Sequence, residues 1–369
     1  MRQVGEITDI LPTGKDVSRE SDGRYRLDRP EHAGALFVEW IRRGTVFLRR
    51  LKAESDLYYY RLPQRVTSYE DLYYLATQIQ ESEVRVDFEN PAVGPFAKSL
   101  QSELTPLLET SIDQAYPCSL KELAQEAVNY VADIVVELLS REPASLDYLD
   151  HLLLAACQDG QIDCKTICTL NHDTVVEQAL VRAGLTYEDG FRPPSDGRRY
   201  WDATQLEKAS SGIQLLKLHG SVNWLDDGGR LYVRDPDRTV DREAPCLELP
   251  YGRPQLLIGT FNKPLRYTSW HFSDVHSTFH RLMGRSQALV VSGYGFGDWG
   301  VNSQILQWLF SCERNVMVVI HREPGTLWSS ARGEVAKKRQ AFQETGQLKV
   351  IPKWFEEVSW DEVRTEIEP

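Results

Sequence analysis

The chain has 369 residues, 41% hydrophobic and 26% charged, which suits one large α/β domain with additions, or two domains, and excludes wholesale disorder. Its 54 acidic residues outnumber 42 basic ones, for a net charge of −12, and such a surface argues against direct binding to a nucleic-acid backbone. Six cysteines without a C-x-x-C pair support neither a disulfide framework nor a four-cysteine zinc site, and no signal peptide or bilayer-length apolar run is seen, so a cytoplasmic protein without a membrane partner is expected.

Residues 1–66 are polar and Arg-rich, with a helix or strand pair expected over 35–51. Residues 67–155 read as a helical insertion. Ser68 is placed to cap a helix starting at Tyr69-Glu70-Asp71-Leu72. A second helix over 120–139 carries Leu123, Ala127, Val131, Ile134, Val135 and Leu138 on one side. From residue 156 the pattern changes. Short apolar runs at 164–170, 213–218, 255–258, 288–291, 316–320 and 348–351 alternate with helical or loop material, the signature of a Rossmann-like parallel sheet flanked by helices. Cys164 and Cys168 are expected as small core residues of the first run. Asp226-Asp227-Gly228-Gly229-Arg230 reads as a hairpin turn between 222–224 and 231–233.

Three strand ends carry unusual polar residues. The first is Thr169-Leu170-Asn171-His172-Asp173, ahead of a helix over 174–183. The second is Lys217-Leu218-His219-Gly220-Ser221. The third is Ser292-Gly293-Tyr294-Gly295-Phe296-Gly297-Asp298-Trp299-Gly300, between an apolar run and a helix over 301–312. Gly295, Gly297 and Gly300 satisfy G-x-G-x-x-G, a turn that lets a backbone approach a phosphate. The next strand end, His321-Arg322-Glu323, supplies an acidic residue where a ribose is held in such folds.

Ligands of open α/β sheets sit outside the carboxyl ends of strands. Meeting there, these segments supply an amide, a carboxylate, an imidazole and a phosphate cradle, a set suited to cleaving an N-glycosidic bond at a nucleotide ribose. Asn171 suits donation to the ribose or to water. Asp173 suits a ribose hydroxyl or developing positive charge. His219 suits a general base. Each segment alone has a plainer explanation. Asn-x-Asp after a strand is often a helix cap, His-Gly-Ser is common turn chemistry, and glycines permit tight turns with no ligand. His271, His276 and His280 fall in one expected helix over 269–283, but H-E-x-x-H is not satisfied and no metal site is expected. Tyr58-Tyr59-Tyr60 and Tyr73-Tyr74 are expected to pack or to form an oligomer contact.

Together these motifs resemble the sirtuin superfamily, and within it the bacterial sirtuin-like branch that hydrolyses NAD. Thr169-Leu170-Asn171-His172-Asp173 is similar to that branch's Thr-x-Asn-aromatic-Asp segment, and Leu218-His219-Gly220-Ser221 to its catalytic-histidine motif. Gly293-Tyr294-Gly295-Phe296-Gly297-Asp298 with Asn302 resembles its Gly-Tyr-Ser-Phe-Gly-Asp…Asn segment. Ile320-His321-Arg322-Glu323-Pro324 resembles the strand end contacting the adenosine ribose. The resemblance implies NAD as substrate and no zinc. It assigns His219, Asn171 and Asp173 to catalysis, and Gly220, Ser221, Gly293, Tyr294, Phe296, Asp298, Asn302, His321 and Glu323 to the substrate pocket.

Two departures from the family pattern stand out. The Gly-Ala-Gly-x-Ser phosphate loop is not seen in residues 1–51, although Ile10-Leu11-Pro12-Thr13-Gly14-Lys15-Asp16 resembles the segment that usually follows it. The four-cysteine module of sirtuin deacylases is also absent, which points away from deacylation. The expectation is an NAD hydrolase acting as a toxic effector of anti-phage defence. A homo-oligomer is expected, partnered with a HerA-type hexameric ATPase in preference to an Argonaute-like protein. A catalytically inactive module that binds NAD or ADP-ribose as a sensor or scaffold is the alternative, and an ordinary dinucleotide oxidoreductase ranks third.

Overall fold

The computed structural model describes residues 2–27, 35–62, 65–82, 92–109, 117–162, 165–195, 197–208, 212–234, 252–259, 261 and 263–367. Cys164 and Cys246 lie outside them. The chain divides into two compact units. One comprises Met1–Arg141 with Ile258–Asn262, the other Glu142–Leu257 with Lys263–Pro369.

The first unit is mainly helical. It contains α1 (Arg2–Ile10), β1 (Val17–Arg19), β2 (Tyr25–Leu27), α2 (Ala35–Tyr59), α3 (Tyr69–Ser82), α4 (Gly94–Glu109) and α5 (Leu120–Leu139), with β1 and β2 antiparallel. The α5 helix fits its sequence pattern. Ser119 and Glu122 form a reciprocal capping box, and Leu123, Ala127, Val131, Ile134, Val135 and Leu138 are buried. Where a helix or strand pair was expected over 35–51, one 25-residue helix runs through Gly44. Its buried face includes Arg43, whose charge is met by Glu39 at 2.8 Å. A charged residue on the core face blurs the apolar period, which is why the pattern was ambiguous. Tyr59 is buried and donates to Asp71, whereas Tyr58 and Tyr60 are exposed.

The second unit begins with short turns over 147–154 and α6 (Ala155–Gln158). It continues through β3 (Lys165–Thr169), α7 (Val175–Arg182), β4 (Tyr187–Glu188), β5 (Arg198–Tyr200), α8 (Gln205–Lys208), β6 (Ile213–Lys217), β7 (Leu225–Asp227) and β8 (Arg230–Arg234). Then come α9 (Lys263–Arg266), α10 (Trp270–Met283), β9 (Ala288–Ser292), α11 (Trp299–Ser311), β10 (Val316–Ile320), α12 (Pro324–Ser330), α13 (Glu334–Glu344), β11 (Leu348–Ile351) and α14 (Trp360–Ile367).

This unit has the Rossmann-like α/β character expected of alternating apolar runs and helices. Its parallel strands form two three-stranded sheets, ordered β3-β6-β4 and β11-β10-β9. Strand β10 shows why a continuous apolar run is needed. Met317 and Val319 enter one core, and Val318 and Ile320 enter another on the opposite face. The first of these cores also takes Leu216 and Leu218 at the end of β6, Val291 of β9, and Phe272, Phe279, Ile305 and Trp308 of α10 and α11. One helical layer therefore covers both sheets.

Three local expectations are corrected. The 255–258 run forms no strand among the described residues; it touches the sheet through a single bridge, Gly220 to Leu256. Cys168 is not a core residue, because β3 leaves it solvent-accessible. The hairpin turn is present, with Gly228 and Gly229 both at positive φ, but its strands are β7 and β8, so β7 starts later than the 222–224 run. No described helix is long and apolar enough to cross a membrane.

Candidate functional site

The three polar strand ends meet within the second unit. Strands β3 and β6 pair in register Thr169 to Lys217, and the Leu218 N–H donates to the Thr169 carbonyl at 3.0 Å. That carries Asn171 and His219 off neighbouring strands together. The His172 and His219 rings lie 6.2 Å apart. The loop after β9 arrives from the other sheet and places Asp298 Oδ2 2.9 Å from His219 Nε2.

His219 is almost fully buried. Its environment contains Asp298, Tyr267, Lys263 and His276. Desolvation, helped by the Lys263 charge, pulls the imidazole down to about 4, while Asp298 acts in the opposite direction. The ring is therefore neutral near pH 7. Burial alone would raise the Asp298 carboxyl. Hydrogen bonds from His219, Tyr267 and the Val301 N–H outweigh it and hold Asp298 well below the usual carboxylate range. Tyr267 was not anticipated from sequence. Its hydroxyl donates to Asp298 Oδ2 at 2.5 Å and lies 3.4 Å from His219 Nε2. Its ring stacks on His276 at 3.6 Å between centroids. His276 Nε2 is 3.0 Å from the Leu218 carbonyl, so this histidine supports the strand end. Among the described residues no group of three or more His, Cys, Asp or Glu side chains is placed to hold a metal ion.

The β3 end divides its tasks. Asn171 is exposed, and its backbone N–H donates to Thr169 Oγ1 at 3.1 Å. Asp173 Oδ1 accepts from the Val175 N–H at 3.2 Å, the plainer capping role. Among the described residues its second oxygen takes no hydrogen bond. Among the described residues His172 is buried without a carboxylate partner, and desolvation, reinforced by the neighbouring His219 and by Lys263, pushes its ring well below the usual imidazole range. Its carbonyl accepts from the Val222 N–H and from the Ser221 hydroxyl. Ser221, fully buried, thus ties the β3 and β6 ends together. A second unanticipated pair lies beneath them. Lys217 Nζ reaches Glu177 Oε1 at 2.9 Å and also the Asp173 carbonyl. A lysine in the mostly apolar run of β6 was its available signal, since a buried cation requires a partner.

The glycines have different jobs. Gly220 sits at φ 80, and a Cβ there would stand 2.0 Å from the Gln255 carbonyl oxygen. The backbone that passes close to it is therefore the 255–256 segment. Gly300 abuts the Tyr267 ring, where a Cβ would come within 2.3 Å. By contrast, a Cβ on Gly293, Gly295 or Gly297 meets nothing within 4 Å. That open side fits a phosphate-bearing substrate lying along the loop. The loop itself is anchored. Phe296 is completely buried at φ 51 and stacks on Trp328. Asn302 donates to the Phe296 and Arg332 carbonyls, and its Oδ1 accepts from the Tyr294 hydroxyl at 2.7 Å. Tyr294, Phe296 and Asn302 thus shape the loop.

Parallel pairing of Ser292 with Ile320 brings the following strand end alongside. There His321 Nδ1 accepts from the Glu323 N–H at 3.1 Å, and the Glu323 carboxylate accepts from the Thr326 hydroxyl at 3.2 Å. Both side chains lie at the carboxyl end of β10, beside Gly293.

Residues 165–351 match the family model described as a SIR2-like domain, just over half of the chain. The matched segment opens on the first residue of β3 and closes on the last residue of β11. No curated protein matches the chain.

Proposed function

The chain belongs to the SIR2-like domain family, and from that membership we propose that it hydrolyses NAD to nicotinamide and ADP-ribose. The observation that carries this reading is the meeting of Asn171, His219 and the open glycine loop at the carboxyl ends of β3, β6 and β9, with neutral His219 set 2.9 Å from Asp298. The bond between ribose C1′ and the pyridinium nitrogen breaks, and its electron pair neutralises the departing nicotinamide. A water oxygen bonds to C1′, and His219 takes a proton from that water. Asn171 positions the water or a ribose hydroxyl, and the unengaged Asp173 oxygen faces the cationic ribose. Gly293, Gly295 and Gly297 offer room for the phosphates, with His321 and Glu323 on the adenosine-ribose side.

In this reading NAD depletion makes the protein a toxic effector of anti-phage defence. It works in the cytoplasm as a homo-oligomer under control of a HerA-type hexameric ATPase, with an Argonaute-like partner as the less favoured pairing. One observation favours a second reading, an NAD- or ADP-ribose-binding sensor. His219 has little access to solvent, and one of its nitrogens is already occupied by Asp298.

Nicotinamide release from NAD by the purified protein, with and without the product of its neighbouring gene, separates the two. Release that is lost in His219→Ala and in Asn171→Ala supports hydrolysis. Retained NAD with no release under any condition selects the sensor. Release indifferent to His219→Ala removes the catalytic assignment, and a redox change in the dinucleotide would revive oxidoreductase chemistry.

A further inference from the structure

We infer that Asp298 and Tyr267 are positioning residues that hold His219 in the tautomer protonated at Nε2, leaving Nδ1 as the nitrogen that accepts the proton. The inference rests on the hydrolytic reading for its catalytic meaning, but its structural content stands apart from it.

The tautomer follows from which atoms can donate. Asp298 Oδ1 accepts from the Val301 N–H at 3.0 Å, as the N-cap of α11. Capping α11 requires that one oxygen. Oδ2 is turned the other way, 2.9 Å from His219 Nε2 and 2.5 Å from the Tyr267 hydroxyl. An ionised carboxylate accepts and never donates, so the hydrogen between Asp298 and His219 belongs to Nε2. The Tyr267 hydroxyl hydrogen points to the same oxygen. In a neutral imidazole with Nε2 protonated, the lone pair is on Nδ1.

Tyr267 is held for this task from three sides. Its ring stacks on His276, its face meets Gly300, and its N–H donates to the Lys263 carbonyl at 3.2 Å. His276 faces a carbonyl, so its Nε2 also carries a hydrogen, donated to Leu218, the residue before His219. Ring and backbone of His219 are thus fixed by different neighbours. When water gives its proton to Nδ1, His219 becomes an imidazolium whose charge is met by Asp298. The water oxygen bonds to C1′ as the nicotinamide leaves with the electron pair.

The groups facing His219 from all sides set the direction of its pH response. Asp298 favours the protonated ring; Lys263, His276 and His172 oppose it when charged. Removing the Asp298 charge therefore moves the acid limb of the rate profile to lower pH. Removing the Tyr267 hydroxyl leaves Asp298 less satisfied and a stronger partner for the imidazolium, which moves that limb to higher pH.

The test is 15N NMR of histidine-labelled full-length protein, alongside pH profiles of nicotinamide release, for the wild type, Asp298→Asn and Tyr267→Phe. Asparagine also caps helices well, so Asp298→Asn keeps α11 in place. The expected result is an Nε2-protonated His219 in the wild type and loss of that preference in Asp298→Asn. Nicotinamide release should fall on the order of 10³- to 10⁴-fold in Asp298→Asn, as when an orienting carboxylate becomes an amide in a catalytic triad. In Tyr267→Phe it should fall roughly tenfold, with the opposite shift of the acid limb. A wild-type His219 protonated at Nδ1, or an unchanged tautomer in Asp298→Asn, overturns the inference. Absence of nicotinamide release with the NMR result intact overturns the hydrolytic reading alone.

Discussion

His172 and His219 leave adjacent parallel strands, are both buried, and stand 6.2 Å apart, yet among the described residues His219 alone of the two is paired with a carboxylate. His219 faces a carboxylate that is itself held by a helix N-terminus and a tyrosine. Among the described residues His172 has no carboxylate partner, and its buried Nδ1 finds no hydrogen bond. Burial pushes both rings towards neutrality, so burial does not separate them. The difference is a charge delivered from the other sheet. An imidazole becomes a useful base when something nearby is ready to meet the charge it acquires.

The sharpest way to break this comparison is to exchange the two rings' fates. His219→Ala should reduce nicotinamide release at least as much as Asp298→Asn, by roughly 10³- to 10⁴-fold, whereas His172→Phe should reduce it by less than about tenfold. Equal losses in a steady-state assay would show that the carboxylate does not distinguish the two. The next largest effect is on stability. Lys217 supports the strand end that carries His172, and Lys217→Met leaves Glu177 buried without its cation. The cost expected in denaturant unfolding is about 3–5 kcal/mol, with most of it recovered in the double variant with Glu177→Leu. A single variant as stable as the double one would contradict that account.

Acid should act on the histidines together. His219 and His271 are both pulled down to about 4 by burial. In the unfolded chain they protonate nearer 6.5. Below that pH the unfolded state binds more protons, so stability is complete above about 6.5 and is lost as pH falls towards 4, by up to about 1.4 kcal/mol per pH unit for each ring. A thermal midpoint that stays level between pH 7 and 5 would argue against neutral buried histidines. The smallest change is Gly300→Ala, whose methyl would press on the Tyr267 ring. It should cost about 1–3 kcal/mol and reduce release along with Tyr267→Phe. Full activity would mean that Tyr267 shifts without consequence for His219.

The parts of the site on the strand ends were legible because they are local. A polar cluster directly after an apolar run marks a carboxyl strand end, and Asn171, Asp173, His219 and Asp298 all lie on such ends. The assignment of partners was less legible. Asp298 was grouped with the substrate pocket, as one more residue of the glycine loop, because nothing in sequence shows that it reaches across 79 residues to His219. Tyr267 lies in a short connection beside α9, with no periodicity to draw attention to it. The run at 255–258 misled for the converse reason. Its apolar residues match a strand, but Leu256 meets the sheet only through one bridge to Gly220, and Leu257 is buried in the second unit's core instead of in a ladder. G-x-G-x-x-G likewise joined two functions under one spacing, with Gly295 and Gly297 facing open space and Gly300 facing a tyrosine.

Phe296 holds a left-handed backbone conformation that a bulky side chain adopts at a cost of about 1–3 kcal/mol. Its ring is nevertheless sealed against Trp328, and its carbonyl is gripped by Asn302 and by the Arg332 N–H. The loop has therefore undergone its ordering during folding, before any substrate arrives. Association then loses little chain entropy at this loop, and the capture rate should be governed by diffusional encounter instead of by a loop that closes around its guest.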